Sequence, residues 1–378
     1  MAIFPIFRRF VGLAVAPRTH TARRSLATAN SGSMHVFNRS HVRMHRARAA
    51  MAEDVGRYDW LSDHLAAEVV ERLEDVRKDF PLAVDLGCGG GHILRELQET
   101  YAEEDERCVG GIEELVCCDI SPLMLAKAQR VKTRGPDDVA ADGKTGMLLG
   151  DQPPPPLPVA KYVCCDEEAL PFADNSVDLF VSSMSLHWVN DLPGTMAQIY
   201  RCLKPDGVLL MTMLGGATLS ELRTSFVLAE QERDGGVSPH MSPLVAPGDA
   251  GSLLSNAGFQ LVTVDTDKLF VRFEDATVVW EHMQGMGASN ATLGRRSGAH
   301  PDTLLASAAA YQYLYGHPED ASGEYDEEAA ATTASEGDAL ADDVVTATFQ
   351  PIFLIGWKPL PPKEVEGSSS GLAGAINA

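Results

Sequence analysis

The stretch "VDLGCGGGH", residues 84–92, closes a short apolar run and opens a helical pattern. Its acid and glycines are spaced D-x-G-x-G-x-G, with Asp85, Gly87, Gly89 and Gly91 at the four positions. Glycines at a strand-to-helix turn permit positive φ and let a ligand approach the backbone closely. A dinucleotide fingerprint, G-x-G-x-x-G, would place its third glycine at position 92, and that residue is His92. The spacing therefore favours a nucleoside ligand that lacks a pyrophosphate.

Working outward from this turn, short apolar runs alternate with helical patterns, as in a parallel sheet wrapped by crossover helices. Strands are expected at 82–87, 114–119, 161–166 and 177–183, and later at 207–214, 260–266 and 346–358. Amphipathic stretches such as "GHILRELQETYA" and "GTMAQIYRCLK" lie between them. The reading is an α/β, Rossmann-like fold: a seven-stranded, mostly parallel sheet with helices on both faces.

A ribose needs an acidic acceptor at the end of the second strand, and Asp119 in "VCCDIS" stands there. "VCCD" at 116–119 returns at 163–166, so Asp166 emerges at the same edge, and "ALPF" at 169–172 can wall an adenine. These motifs resemble the class I S-adenosylmethionine-dependent methyltransferases that share "DLGCGxG" and "DxExLPF". The resemblance implies that the glycine turn and Asp85 hold the methionine end, with Cys88 in the same loop. It implies further that Asp119, followed by Ile120, takes the ribose hydroxyls, that Asp166 with Glu167 takes the adenine amine, and that Ser183 adds to the lining.

At the end of the fourth strand, "SSMSLHWVNDLP" (182–193) sets His187 beside Trp188. His187 stands where a general base or substrate-orienting group would sit, or it packs under Trp188 and shapes the pocket. Trp188 forms an apolar wall or a face for a cation. "GGATLSELR" begins a helix that can lid the site, with Thr218 as N-cap and Glu221 at capping-box spacing. His240 in "SPHMSPL" and the loop "QGMGASN" (284–290) are candidate substrate-facing elements, or plain connections.

No Asp or Glu precedes Glu53, whereas that segment carries nine arginines, in a chain of net charge -22. An acid-free, Arg-rich start reads as a mitochondrial transit peptide, with a secretory or bipartite plastid signal, or a basic arm, as alternatives. The acidic remainder argues against a nucleic-acid groove. No apolar run reaches the roughly 18 to 20 residues of a membrane-spanning helix, so a soluble or peripheral protein is expected. The seven cysteines form no C-x-x-C and read as buried thiols; no metal site is expected. "HPD" at 300–302 and "HPE" at 317–319 do not compose an iron-binding face, and Asp302 reads as a helix N-cap.

The expected partition is a transit peptide over 1–33, a helical arm over 34–78, a cofactor core over 79–215 and a lid-and-substrate region over 216–360. The first of two polar insertions, 133–158, falls in the core. The second, 317–343, falls in the last region, and a tail spans 361–378. Both insertions read as disordered.

Taken with "LKPDGV", "AEQERDGGVSPHMSP" and "IGWK", the chain resembles the mitochondrial complex I assembly factor 5 family from about Val36 to Pro359. That resemblance implies S-adenosylmethionine as cofactor and hydroxylation of an arginine on a complex I subunit, or its methylation. It also implies a matrix location with peripheral contact to the inner membrane. Two rivals stand beside it: a small-molecule or acyl-carrier carboxyl methyltransferase, and a non-catalytic assembly chaperone. The arm "VFNRSHVRMHRARAA" would close over the cofactor, and it departs from the family in carrying Asn38 where an acid is usual.

Overall fold

A computed structural model describes residues 35–52, 55–104, 108–131, 158–296, 298–316 and 344–361. The expected transit peptide, the 317–343 insertion, the 133–158 insertion except Pro158, and the tail except Pro361 lie outside the described residues.

Seven strands form one sheet in the order β3-β2-β1-β4-β5-β9-β6. They are β1 (Leu82–Leu86), β2 (Glu114–Asp119), β3 (Val159–Cys164), β4 (Val177–Ser183), β5 (Leu203–Leu214), β6 (Gln260–Thr266) and β9 (Pro351–Trp357). The first five pair in parallel, and β9 runs antiparallel between β5 and β6. The expected class of fold is therefore the one observed.

Successive residues of a strand face opposite sides of a sheet, so a strand buried on both faces feeds two cores. Ala83, Leu115, Leu179 and Leu210 join one core, and their neighbours Val84, Val116, Phe180 and Met211 join the other. Helix α2 (Trp60–Glu74) packs on the first side through Leu61, Leu65, Val69 and Leu73, each 0–1% exposed. Burial of each such side chain contributes about 1.5–3 kcal/mol. Helices α5 (Leu192–Cys202) and α7 (Pro247–Asn256) cover the second side.

Four local expectations are corrected. The run 346–358 is two strands, because Gln350 spends its backbone on the 215–218 segment. Its amide donates to Thr218 Oγ1 and its carbonyl accepts from Gly215. β8 (Val345–Phe349) accordingly leaves the main sheet and pairs with β7 (Leu269–Phe273). β3 ends at Cys164 rather than at 166, since its partner β2 ends at Asp119. Thr218 is not the cap of the lid helix α6 (Ser220–Arg233), because its hydroxyl is committed to Gln350. Leu219, with φ 50, precedes the first turn, and Glu221 accepts from Thr348 instead of closing a capping box. Likewise α9 (Pro301–Tyr315) is capped by His300, with Asp302 inside the first turn.

The arm helix α1 (Arg39–Ala50) is capped by the side chain of Asn38, which accepts from the amides of Ser40 and His41. The residue that departs from the family pattern thus serves as a cap. The remaining helices are α3 (His92–Glu104), α4 (Pro122–Ala128) and α8 (Ala276–Gly285). Among the described residues no helix is long and apolar enough to cross a membrane.

Candidate functional site: a cofactor crevice and an adjoining chamber

In an open α/β sheet the crevice lies past the carboxyl ends of the strands where their order reverses, here at β1 and β4. The turn after β1 holds Gly87, Gly89 and Gly91 at φ 83, 54 and 86. The amides of Gly87 and Cys88 both donate to the Cys118 carbonyl at 2.8 Å, fixing the turn against β2. A Cβ on Gly87 would lie 2.0 Å from Ser185 Oγ, so glycine is required there on two counts.

Beneath the turn, Asp85 is 1% exposed and neither carboxylate oxygen has a partner. Burial, and then the charge of Asp119, push its carboxyl up to about 8, against the pull of Arg46. An orphaned buried carboxyl is stabilised by a cation brought by a ligand, such as an amino-acid ammonium. The cavity beside it, about 70 Å³, is lined by Asp85, Gly87, Cys88, Gly89, Ser183 and His187 among others. The ligand atoms of Asp85, Cys88 and Cys117 lie within 4.8 Å of one another. That cluster sits under the same turn, so a cation there would compete with any ligand that uses Asp85.

The other expected acids converge on the crevice, and the arm has reached them first. Asp119 Oδ2 accepts from Arg46 Nη1 at 2.5 Å and from the Gly89 amide at 3.2 Å, while Oδ1 accepts from the Ser121 amide. Arg46 also donates to Ser185 Oγ at 2.8 Å, and that hydroxyl donates to Glu167. Arg39 pairs with Asp166 at 2.7 Å and with Glu167, and donates to the Trp188 carbonyl. Ile120 is not among the residues that line the cavity, and neither are Gly91, Asp119, Asp166 and Glu167; the Ile120 carbonyl accepts from Cys164. Arg39, Arg46 and Ser185 escaped the sequence reading, although the basic arm was legible. No local spacing announces which residues, 73 to 149 positions from the arm, Arg39 and Arg46 will meet.

The arm is tied down by the segment after β4 and by the residue that follows the 284–290 loop. Asn190, in the "HWVND" segment, accepts from the amides of Val36 and Phe37, and Asn38 donates to the Ala291 carbonyl. Phe37 meets Trp188 edge-on at 5.6 Å. His187 is buried with Nδ1 unpartnered, and burial followed by the charge of Arg46 lowers it to about 3. It is therefore neutral at physiological pH.

His187, Trp188 and Ala288 also line a second chamber of about 300 Å³, so one wall separates cofactor crevice from chamber. Phe226, Trp280, Met241 and Met283 are among its apolar lining residues, and His240, Ser242 and Gln284 among its polar ones. Ser242 Oγ and Trp280 Nε1 are buried without partners. No Asp, Glu, Lys or Arg is among the lining residues. The residues proposed from sequence as substrate-facing, Trp188 and His240, thus share one chamber.

A family model described as a methyltransferase domain matches residues 84–211. The chain is 38% identical over 326 residues to arginine-hydroxylase NDUFAF5, mitochondrial, of Danio rerio, covering 86% of this chain and 84% of that protein. It is 36% identical over 351 residues to the protein of the same name from Homo sapiens, covering 93% and 83%. A malonyl-[acyl-carrier protein] O-methyltransferase of Gallionella capsiferriformans is 28% identical, covering 88% of this chain and 96% of that one.

Proposed function

This chain belongs to the mitochondrial arginine-hydroxylase NDUFAF5 family, and on that premise we propose that it modifies an arginine of a complex I subunit, with S-adenosylmethionine as cofactor. It is a mitochondrial enzyme built on a methyltransferase domain. The residues present fit the cofactor: the glycine turn cradles backbone-close atoms, and unpartnered Asp85 would take the methionine ammonium. Asp119 would take the ribose, and Asp166 with Glu167 the adenine amine, each exchanging its arm arginine for the nucleoside. When bound, the cofactor supplies an activated methyl group on a sulfonium. The chain's own residues bind and orient: His187, neutral, stands between crevice and chamber as a hydrogen-bonding group rather than a charge.

The chamber carries the reading of the substrate. A guanidinium is planar, weakly hydrated and stacks on aromatic faces, and Trp188, Trp280 and Phe226 offer such faces. Acceptors at Ser242 and Gln284 can meet its N–H groups.

The test is to incubate the mature chain and S-adenosylmethionine with the arginine-bearing subunit and to analyse the product by mass spectrometry. A gain of one oxygen or of one methyl on arginine is expected, abolished by Asp119→Ala. No gain, with complex assembly still supported by Asp119→Ala, would establish the chaperone reading instead.

A further inference from the structure

One residue of the chamber wall, His240, is held from behind by a carboxylate that does not itself line the chamber, and the cofactor site uses neither. Glu230, on the inner face of the lid helix α6, is 1% exposed. Its Oε1 meets His240 Nε2 at 2.7 Å and accepts from Ser238 Oγ at 2.5 Å, while Oε2 accepts from the Ser238 amide at 2.7 Å. Burial opposes ionisation of this carboxyl, but the Ser238 hydroxyl and amide and the His240 ring outweigh it and hold the group below the usual carboxylate range. His240 is fixed a second time by stacking on Phe226, with ring centroids 4.2 Å apart and planes 18° apart.

An anion on one ring nitrogen selects the tautomer. With the proton on Nε2 facing Glu230, Nδ1 carries the lone pair. A carboxylate, an imidazole it orients, and an adjoining pocket for the reacting group is the arrangement by which proteins build a positioned proton acceptor. A purely structural histidine on an apolar wall would not need a nearly dry carboxylate behind it, since isolating that charge is costly unless it serves a partner.

We infer that His240 is a catalytic residue that accepts a proton from the substrate guanidinium in the chamber, and that Glu230 is its positioning residue. The inference rests on the arginine reading of the site. In the step, one Nη–H bond of the substrate breaks and its electron pair stays on the guanidine nitrogen. A new N–H bond forms at His240 Nδ1, and the imidazolium so formed is balanced by Glu230. No electrons leave or enter the pair, so the step supplies no oxidising equivalents and serves transfer of an electrophilic methyl group to that nitrogen; the proton leaves as the new bond forms, because a free guanidinium holds it far more tightly than an imidazole does. Other charges bear on the pair from outside the chamber. Arg296 lies 3.7 Å from Glu230 and 2.7 Å from Asp234, and neutral His187 also lines the chamber.

The test uses the mature chain loaded with S-adenosylhomocysteine, so that no turnover occurs, and a peptide with a single arginine. The His240 ring resonance is followed by NMR through a pH titration, assigned with His240→Gln, with the Trp280 indole resonance as an independent report of binding. The arginine peptide is expected to shift the His240 signal and its midpoint, while the same peptide carrying citrulline does not. Glu230→Gln is expected to lower the midpoint in the free protein by about one pH unit, a tenfold change in proton affinity. With S-adenosylmethionine, His240→Gln should lower kcat about 10²- to 10⁴-fold, the range for loss of a general base. KM for the peptide should stay within threefold, and cofactor affinity should be unchanged. A peptide that moves Trp280 but not His240, or a midpoint indifferent to Glu230→Gln, overturns the inference alone. Failure of the arginine peptide to bind at all overturns the arginine reading, and this inference with it.

Discussion

Asp85 offers the most direct physical test of the crevice. Its carboxyl sits at about 8 against an ordinary 3.8, because burial and the neighbouring Asp119 disfavour the charged form more than Arg46 favours it. A carboxyl raised by folding keeps its proton in the native state after the unfolded chain has lost it, so stability falls as pH rises from about 4 to about 8. The gap, at about 1.4 kcal/mol per pH unit, caps that loss at about 6 kcal/mol. Asp85→Asn cannot ionise and should abolish this part of the pH dependence, whatever its own fixed cost. The assay is urea denaturation of both proteins at half-unit steps from pH 4.5 to 8.5, followed by tryptophan fluorescence. The difference in unfolding free energy should move toward the variant by about 1.4 kcal/mol per pH unit across the middle of that range. S-adenosylhomocysteine brings an ammonium, so its binding near pH 6.5 should release a proton in the wild type and not in the variant. That release is measurable by calorimetry in two buffers of different ionisation heat. Parallel stability profiles for the two proteins would refute the reasoning, by showing that Asp85 ionises in the fold as freely as in the unfolded chain.

Two further outcomes follow from the geometry of the turn and the arm. Gly87→Ala puts a Cβ 2.0 Å from Ser185 Oγ at φ 83, and should cost about 2–4 kcal/mol by urea denaturation and remove S-adenosylhomocysteine binding. A Gly87→Ala protein of wild-type stability would show that the turn has room the structure denies it. Arg46→Met strands Asp119, whose side chain is 0% exposed, and should cost about 3–5 kcal/mol, with most of that recovered when Asp119→Asn is added. Additive losses in the double variant would show that the two groups are not coupled.

How far the site was legible can be argued residue by residue. The spacing of Asp85, Gly87, Gly89 and Gly91 announced a nucleoside turn because φ > 0 and close backbone approach are local demands that only glycine meets cheaply. Asp119 and Asp166 were legible because strand ends in a parallel sheet share one edge. Glu230 was not legible as the partner of His240: ten residues apart on a helix and a following loop, they meet only through the fold of the 234–240 segment. Nor was the arm's choice of partners, since an arginine's reach does not specify which acid it will find.

The sequence by itself therefore determined the fold class and the glycine turn that follows its first strand, because strand periodicity and turn chemistry are local. Tertiary structure alone decided that Arg39 and Arg46 lie on those acids, that Asp85 is left without a partner, and that one wall at His187 and Trp188 serves two cavities. Those three facts depend on contacts between segments far apart in the chain and on which groups are shut away from water. Burial, which sets the charge state of Asp85 and His187, is a property of the packed molecule and is written in no single stretch of it.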